Sequence, residues 1–396
     1  MTERPTARTP IYLDYQATTP VDQRVVEAMR PYFEGRFGNP HSSTHRYGWE
    51  AEAGVERARR QVADLIGAAA HEITFTSGAT EANNLVIKGV ADALGPTKNH
   101  MITAATEHKC VLESLRTVEA RGWRVDVLPV DADGLIDLEQ LAGLLTPRTA
   151  LVSIMAVNNE IGTIQPLAEI GALCRAAGVL FHTDAAQAFG KVALDVTAQS
   201  VDFLSLSGHK IYGPKGIGAL YKRRAPEVVV TPQMSGGGQE HGLRSGTVAA
   251  PLAVGLGAAA AIAAADGDAD EARIAALAER FLAHVRADLG GVRLNGGWAR
   301  RYRGNLNLSF PGLDGDLLLA RLRGLAVSSG AACASAAEGS SYVLRAIGLD
   351  EAAIRASLRI GFGRFTTADE VDRAAQTLVR TVHSLGGLDT AVPAAV

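Results

Sequence analysis

Residues 201–210, VDFLSLSGHK, decide the fold of this chain. An apolar strand pattern ends there in Ser207, His209 and Lys210. A strand that delivers these three side chains to one edge of a sheet can hold an aldehyde cofactor covalently while binding its phosphate. For a single match of this kind, a surface lysine after a buried strand is the ordinary alternative. The interpretation therefore depends on the rest of the chain.

A second strand ends in a carboxylate. Residues 180–187, LFHTDAAQ, form a neighbouring predicted strand that ends at Asp184, with Gln187 just beyond it. This pair of strand ends suits pyridoxal phosphate, because Asp184 would keep the pyridine nitrogen protonated and Lys210 would form the Schiff base. The protonated ring then accepts the electrons that remain when an amino-acid substrate loses its α-proton.

Two further segments supply a phosphate site and an imidazole. In residues 73–81, ITFTSGATE, an alternating strand turns through Gly78 into a helix. The backbone N–H groups at the helix start and the Thr80 hydroxyl form an anion site. His108 follows a strand at residues 100–104 and can stack on a flat ring or act as an acid or base. Alone it would more often be an ordinary histidine; beside these segments it is a predicted site residue.

The chain resembles the cysteine desulfurases of the IscS/NifS type, within the class V aminotransferase group of fold-type I pyridoxal phosphate enzymes. The matching stretches run almost from end to end, and together they are highly specific. They are residues 11–20 (IYLDYQATTP), 37–40 (FGNP), 76–81 (TSGATE), 157–162 (VNNEIG), 207–216 (SGHKIYGPKG), 236–247 (GGGQEHGLRSGT), 328–333 (SSGAAC) and 341–345 (SYVLR).

The resemblance implies a cofactor role for each matching residue. Lys210 would carry the cofactor covalently, His108 would stack on its ring, and Asp184 would contact the ring nitrogen. Asn159 and Gln187 would lie near the phenolic oxygen of the ring. The phosphate would be held by Ala79, Thr80, Ser207, His209 and, from the other subunit of a homodimer, Thr247.

The resemblance also implies where the substrate binds. Arg359 would pair with the substrate carboxylate, since a planar guanidinium meets a carboxylate with two hydrogen bonds. An ordinary strand arginine is the alternative for this residue. Asn39 lies in a matching stretch near the same site.

The chain has three cysteines, Cys110, Cys174 and Cys333, and their spacing indicates neither a disulfide framework nor a zinc site. A reducing cytosol is the predicted setting. Cys174 lies in an apolar pattern and is predicted to pack in the core. Cys110 begins a predicted helix close behind His108, so a structural role and a role at the site both stay open for it.

Cys333 differs because residues 328–341, SSGAACASAAEGSS, are small and have little to bury, which suits a mobile loop. A thiolate that takes sulfur from a buried substrate and carries it to another protein needs this mobility. A thiolate also attacks sulfur far better than a hydroxyl does. A tight turn with an incidental thiol is the alternative.

We therefore predict an L-cysteine desulfurase that forms L-alanine and a persulfide on Cys333, and supplies sulfur for iron-sulfur clusters or other thio-cofactors. The predicted partners are L-cysteine, a second subunit and an IscU- or NifU-like scaffold or other sulfur acceptor. A selenocysteine lyase and a class V aminotransferase are the enzymatic alternatives, and an aminotransferase would have no use for Cys333. A sulfur-relay or scaffold-binding protein is the non-enzyme alternative, against which the intact cofactor set argues. Residues 386–396 lack the longer tail of the IscS branch, which predicts weaker or differently placed scaffold binding.

Composition agrees with a cytoplasmic enzyme. The 396 residues are 47% hydrophobic and 20% charged, enough to bury a large core in more than one domain. A net charge of −3 gives no electrostatic case for binding nucleic acid or membranes. Residues 1–10 are polar and carry no export signal. His41 and His45 have a metal-compatible spacing, but nothing completes a site and we assign no metal.

Strands alternate with helices over residues 72–221, which predicts an α/β fold with a mainly parallel sheet and helices on both faces. Ligands in such folds bind beyond the carboxyl ends of the strands. The uncharged stretch 248–265 is predicted to be a buried helix linking two domains, and a polar break follows it at residues 266–270, DGDAD. We predict a large cofactor-binding domain at residues 16–262. Residues 1–15 and 263–396 would form a small domain that carries the mobile loop, at about 328–341.

Overall fold

The computed structural model describes residues 9–95, 97–329 and 340–386. The described residues form three β-sheets. The strands are β1 (Ile11–Tyr12), β2 (Ile73–Thr76), β3 (His100–Ala104), β4 (Arg124–Leu128), β5 (Thr149–Ser153), β6 (Leu180–Asp184), β7 (Phe203–Ser207), β8 (Gly218–Lys222), β9 (Arg293–Leu294), β10 (Asn305–Ser309), β11 (Leu325–Ala326), β12 (Ser328–Ser329) and β13 (Ser357–Gly361).

Helices cover the sheets. They are α1 (Gln23–Met29), α2 (Pro31–Glu34), α3 (Arg46–Asp64), α4 (Ala79–Leu94), α5 (Lys109–Glu119), α6 (Leu138–Leu144), α7 (Leu167–Ala177), α8 (Ala250–Asp288), α9 (Gly315–Arg321), α10 (Tyr342–Ala346), α11 (Glu351–Arg355) and α12 (Ala368–Ser384). The side chain of His45, which the sequence placed in a metal-compatible spacing, caps α3 by accepting the Gly48 N–H at 3.2 Å.

The main sheet has seven strands in the order β2-β8-β7-β6-β5-β3-β4. Strands β4, β3, β5, β6 and β7 run parallel, and β8 lies antiparallel between β7 and β2. Successive strand residues point to opposite faces, so Met101 packs in one apolar cluster and Ile102 in another. The prediction of an α/β fold with a mainly parallel, doubly covered sheet is confirmed.

A second hydrophobic core surrounds a four-stranded antiparallel sheet with the order β12-β13-β10-β9. Phe281 of α8, Leu308 of β10 and Leu358 of β13 are buried in this core, and so is Leu13 from the N-terminal segment. We propose the predicted division, residues 16–262 against residues 1–15 with 263–396, on the basis of these separate cores.

Helix α8 runs without interruption through residues 266–270, so the predicted break there is wrong. A glycine inside a helix costs only about 1 kcal/mol relative to alanine. The acidic residues of this stretch find partners, since Asp266 pairs with Arg24 at 2.7 Å and Asp270 with Arg364 at 2.6 Å. By length and composition α8 could cross a membrane, but it packs against α1, α3 and α12 as a core helix does.

A buried ion pair holds the glycine-rich segment that follows the main sheet. The two terminal guanidinium nitrogens of Arg59 donate to Glu240 at 2.7 and 2.8 Å, and the Phe75 N–H donates to the same carboxylate at 2.7 Å. Glu240 has a φ of 51°, a left-handed conformation that an ordinary side chain rarely adopts. These contacts hold the backbone in that conformation.

Glu240→Ala removes three hydrogen bonds and leaves the buried Arg59 guanidinium with only the partly exposed Glu56 as an acidic partner. We expect the free energy of unfolding to fall by roughly 3 kcal/mol. Urea unfolding of the cofactor-saturated protein measures it. Glu50→Ala breaks an ion pair with the exposed Arg46 and is the matched control, with an expected loss below about 1 kcal/mol. Equal losses for the two variants would contradict the prediction.

Candidate active site

A cavity of about 520 Å³ lies beyond the carboxyl ends of β6 and β7. In the single chain Asn39 and Thr247 are exposed and do not line it. Cys333 lies outside the described residues. The other predicted site residues all line this cavity: Ala79, Thr80, His108, Asn159, Asp184, Gln187, Ser207, His209, Lys210 and Arg359.

The start of α4 forms one wall of the cavity. Gly78 has a φ of 154°, which favours glycine, and a Cβ at Gly218 of β8 would lie 2.6 Å from the Gly78 Cα. Glycine at 218 therefore lets β8 approach the turn closely, and glycine at 78 allows the backbone conformation of the turn. The backbone N–H groups of Ala79 and Thr80 have no acceptor within the helix, and they lie at its electropositive end. This wall fits a phosphate group.

Lys210 lies in a single helical turn directly after β7. Its Nζ donates to the backbone carbonyl oxygens of Gln16 and, at 2.8 Å, Ala17. The N-terminal segment thus holds the lysine. This contact could not be predicted from the sequence, because every residue has a backbone carbonyl whatever its side chain. His209 Nδ1 lies 3.0 Å from the Thr18 hydroxyl. Burial and then Lys210 lower the pKa of His209 to about 4, so this ring is neutral near pH 7.

Two contacts orient the Asp184 carboxylate. The Asn83 side-chain amide donates to its Oδ2 at 2.7 Å, and the Ala186 N–H donates to its Oδ1 at 2.9 Å. Sequence reasoning missed Asn83. Asn83 could have been found from its position three residues after Thr80 in α4, because this spacing puts both side chains on one side of the helix.

His108 caps the N-terminus of α5. Its Nδ1 accepts the Cys110 N–H at 3.2 Å and lies 3.0 Å from the Cys110 Sγ. Burial raises the pKa of Cys110 to about 12, so the group beside the imidazole is a neutral thiol. Burial also lowers the pKa of His108, which favours the neutral ring. Because Nδ1 acts as an acceptor, neutral His108 carries its proton on Nε2.

Arg359 reaches the cavity from β13 in the other core. Its Nη2 donates to Asp14 at 2.8 Å and its Nη1 to the Asn159 carbonyl at 3.2 Å. Its Nε is buried and has no hydrogen-bond partner among the described residues. A buried unpaired donor costs about 1–3 kcal/mol, which a ligand carboxylate would recover. Ser328 lies opposite Arg359 in the strand pairing, so the segment that leads to Cys333 begins beside this arginine.

The chain that follows the segment of Cys333 is also anchored near the cavity. The Ser341 hydroxyl donates to Glu160 Oε2 at 2.5 Å, and the Tyr342 hydroxyl donates to the Glu107 carbonyl at 2.7 Å. Glu160 directly follows Asn159, and Glu107 directly precedes His108. Burial raises the pKa of Glu160 from 4.5 to about 7, and the Ser341 hydrogen bond opposes that rise.

Comparison with known proteins identifies the chain's relatives. Residues 11–374 match the class-V aminotransferase family. The chain belongs to this family. It is 55% identical over 379 residues to the cysteine desulfurase IscS of Rickettsia bellii (strain OSU 85-389), covering 96% of this chain and 92% of the relative. Among solved structures, a NifS-like protein matches with a TM-score of 0.89 at 35% identity, covering 95% of this chain and 100% of that one. "SspA in complex with cysteine" matches with a TM-score of 0.80 at 40% identity, covering 90% and 99%.

The predicted family, fold class and enzyme class are confirmed, and the chain is a class-V aminotransferase-family enzyme of the cysteine desulfurase group. Pyridoxal phosphate is the cofactor of this group, and the cavity fits it. The start of α4 suits the phosphate, Asp184 suits the ring nitrogen and Lys210 suits the aldehyde. No cluster of three or more metal-ligating side chains occurs among the residues that the structure describes.

Glu160→Gln tests the raised pKa of Glu160. Folding favours the protonated carboxyl, so this group's contribution to stability falls as pH rises from about 4.5 to about 7. Glutamine cannot ionise. As pH rises over this range, the free energy of unfolding of the variant should therefore increase by roughly 1–3 kcal/mol relative to that of wild type. Denaturant unfolding at a series of pH values measures the difference.

Ser341→Ala is the companion variant, because it removes the hydrogen bond that opposes the pKa rise. In this variant the pH-dependent loss of stability should extend to higher pH. A constant difference between Glu160→Gln and wild type from pH 4.5 to 7 would refute the raised pKa.

Proposed function

We propose that this enzyme converts L-cysteine to L-alanine and carries the released sulfur as a persulfide on Cys333. The observation that supports it most is the meeting of Lys210, Asp184 and Arg359 around one cavity. Asp184 ends β6, Lys210 follows β7 and Arg359 lies in β13, so the folded chain brings together a ring partner, a covalent anchor and a carboxylate partner. The relatives named cysteine desulfurase support the substrate.

The proposed binding of cysteine begins at Arg359. Its guanidinium is already oriented by Asp14 and by the Asn159 carbonyl, so little conformational freedom is lost when a carboxylate binds. The buried Nε gains a partner at the same time. The substrate amino group then lies toward Lys210, which lines the same cavity.

Three residues are assigned to the handling of protons. Pyridoxal phosphate, when bound, supplies an electron sink for the substrate α-carbon. Lys210 would hold the cofactor before substrate binds, and its Nζ would then remove the substrate α-proton. His108 would present its Nε2 proton to the cofactor ring, because its Nδ1 accepts the Cys110 N–H at the start of α5. Asp184, held by Asn83, keeps a proton at the ring nitrogen.

Sulfur transfer is assigned to Cys333. Its thiolate attacks the substrate sulfur, a bond forms between the Cys333 Sγ and that sulfur, and the substrate Cβ–S bond breaks. The bonding electrons move to the substrate Cβ, which is protonated to give alanine. The hydrogen bonds of Ser328 with Asp14 and of Ser341 with Glu160 support this role, because they fix both ends of the intervening segment near the cavity.

Cys333→Ser separates the role of the cofactor site from that of the thiol. We expect the variant to keep bound cofactor and to bind L-cysteine, because Lys210, Asp184 and Arg359 are unchanged. Alanine formation should fall on the order of 100-fold or more, as it does when a covalent nucleophile is removed. The measurements are alanine, sulfide and keto acid released from L-cysteine, and the mass of the Cys333 peptide after brief exposure.

Cys174→Ser and Cys110→Ser are the matched controls, and both should retain alanine formation. Keto acid as the main product would favour the aminotransferase alternative, and activity confined to selenocysteine would favour a selenocysteine lyase. Absence of any turnover with bound cofactor would favour the sulfur-relay alternative. Extra sulfur on Cys110 or Cys174, with Cys333→Ser fully active, would reject the assignment of Cys333.

We also propose a homodimer in which Thr247 completes the phosphate site of the partner subunit. Thr247 is exposed and does not line the cavity of its own chain, although the family resemblance assigns it to a phosphate. A neighbouring contact fixes its segment, since Arg244 donates to Glu81 at 2.8 Å beside the start of α4. An isologous pair would build two such shared sites.

Mixed dimers test this arrangement. Lys210→Ala disables one site component, and Thr247→Asp puts a carboxylate against the phosphate, so each homodimer should be nearly inactive. A co-expressed dimer with one subunit of each kind should recover roughly half of the wild-type activity, because one of its two sites has both native residues. If Thr247 served its own subunit, the mixed dimer would contain no native site and would stay as inactive as its parents.

The sulfur acceptor and the setting are proposed from the resemblance. We propose that the persulfide is passed in the cytoplasm to an IscU- or NifU-like scaffold protein. The net charge of −3 supports a protein partner over nucleic acid. Residues 387–396, on which the prediction of altered scaffold binding rests, lie outside the described residues.

A further inference from the structure

The Gln187 side chain connects the cavity with a lysine that does not line it. Gln187 Nε2 donates to the Gln16 carbonyl oxygen at 2.8 Å, and Lys191 Nζ donates to Gln187 Oε1 at 3.3 Å. The same Gln16 carbonyl accepts from Lys210 Nζ. A continuous set of hydrogen bonds therefore runs from Lys191 through Gln187 to the cofactor lysine.

The orientation of an amide side chain depends on its hydrogen-bond partners. Rotation by 180° exchanges the carbonyl oxygen, which accepts, with the amino group, which donates. A charged lysine offers donors and no acceptor. Lys191 and the Gln16 carbonyl therefore favour the same orientation, with Oε1 toward Lys191 and Nε2 toward Gln16. One Nε2 hydrogen is donated to the Gln16 carbonyl, and the second is left for a ligand in the cavity that Gln187 lines.

Lys191 is itself held in place. Its Nζ lies 5.4 Å from the centre of the Tyr302 ring, and the Tyr302 hydroxyl donates to Glu271 of α8 at 3.3 Å. Burial and then the charge of Lys210 lower the pKa of Lys191 to about 7, and the Glu271 charge opposes this drop. Gly190, with a φ of 69°, lies in the same turn as Lys191, directly before it.

We propose that Lys191 is a positioning residue that fixes the amide of Gln187 with its amino group toward the phenolic oxygen of the cofactor. The inference rests on the proposed function, in which Gln187 lies next to the phenolic oxygen of the cofactor. A donor at this oxygen stabilises its anionic form. Without Lys191 the Gln16 carbonyl alone, among the described partners, holds the amide in this orientation. A rotated amide would turn Oε1 toward the phenolic oxygen, and an oxygen there destabilises the anion.

The pH titration of the visible absorbance of the bound cofactor reports on this oxygen directly. In Lys191→Met the apparent pKa of that absorbance should rise by about one pH unit. Lys191→Arg retains a charged donor with no acceptor, so it should keep a titration close to wild type. Lys98→Met is the matched control, since Lys98 is also partly buried but donates to the Gly178 carbonyl at 2.9 Å, outside the cavity.

A double-mutant cycle separates positioning from a through-space effect of the Lys191 charge. In a Gln187→Leu background, Lys191→Met should cause no further shift, because no amide remains to be oriented. An equal shift in both backgrounds, or no shift in the wild-type background, would overturn the proposal even if the wild-type enzyme forms alanine. A wild-type protein without a covalently bound, visibly absorbing cofactor would instead overturn the proposed function, and this inference with it.

Discussion

The parallel pairing of β3, β5, β6 and β7 is the constraint on which the site depends. Parallel strands end at the same edge of a sheet, so the residues that follow them meet whatever their distance along the chain. His108, Asp184 and Lys210 reach the cavity in this way. The pairing is stabilised by apolar side chains on both faces of the sheet, far from any chemistry. The side chains within the strands therefore stabilise the fold, and the residues at or after the carboxyl ends of the same strands form the site.

Much of the site could be predicted because its signals are local. Lys210 and Asp184 each stand at the end of an apolar strand pattern, and Gly78 separates a strand from a helix start. Short-range rules of strand and helix formation suffice to put such residues at an edge. The roles of Asn159 and Arg359 needed the family resemblance, since nothing in their local sequence distinguishes a ligand from a structural residue.

The remainder depends on contacts between distant segments. Gln16 acts through its backbone carbonyl, and Glu160 meets Ser341 across 181 positions, so no local pattern reveals either contact. The uninterrupted α8 was missed for a related reason. Its acidic stretch is stabilised by Arg24 and Arg364, and neither partner can be seen from the helix alone. Thr247 and Asn39 do not line the candidate active-site cavity formed by the described residues, so their proposed roles depend on the assembly.

Helix α8 also has a mechanical consequence. Its 39 residues form a rod about 58 Å long, and its buried side chains belong first to one core and then to the other. A rigid-body hinge between the two cores would have to bend this rod and break its packing on both sides. The rod therefore joins the core of the main sheet to the core that contains β13, the strand of Arg359, as one continuous element. We therefore expect substrate entry to depend more on local motion of surface segments than on relative motion of the two cores.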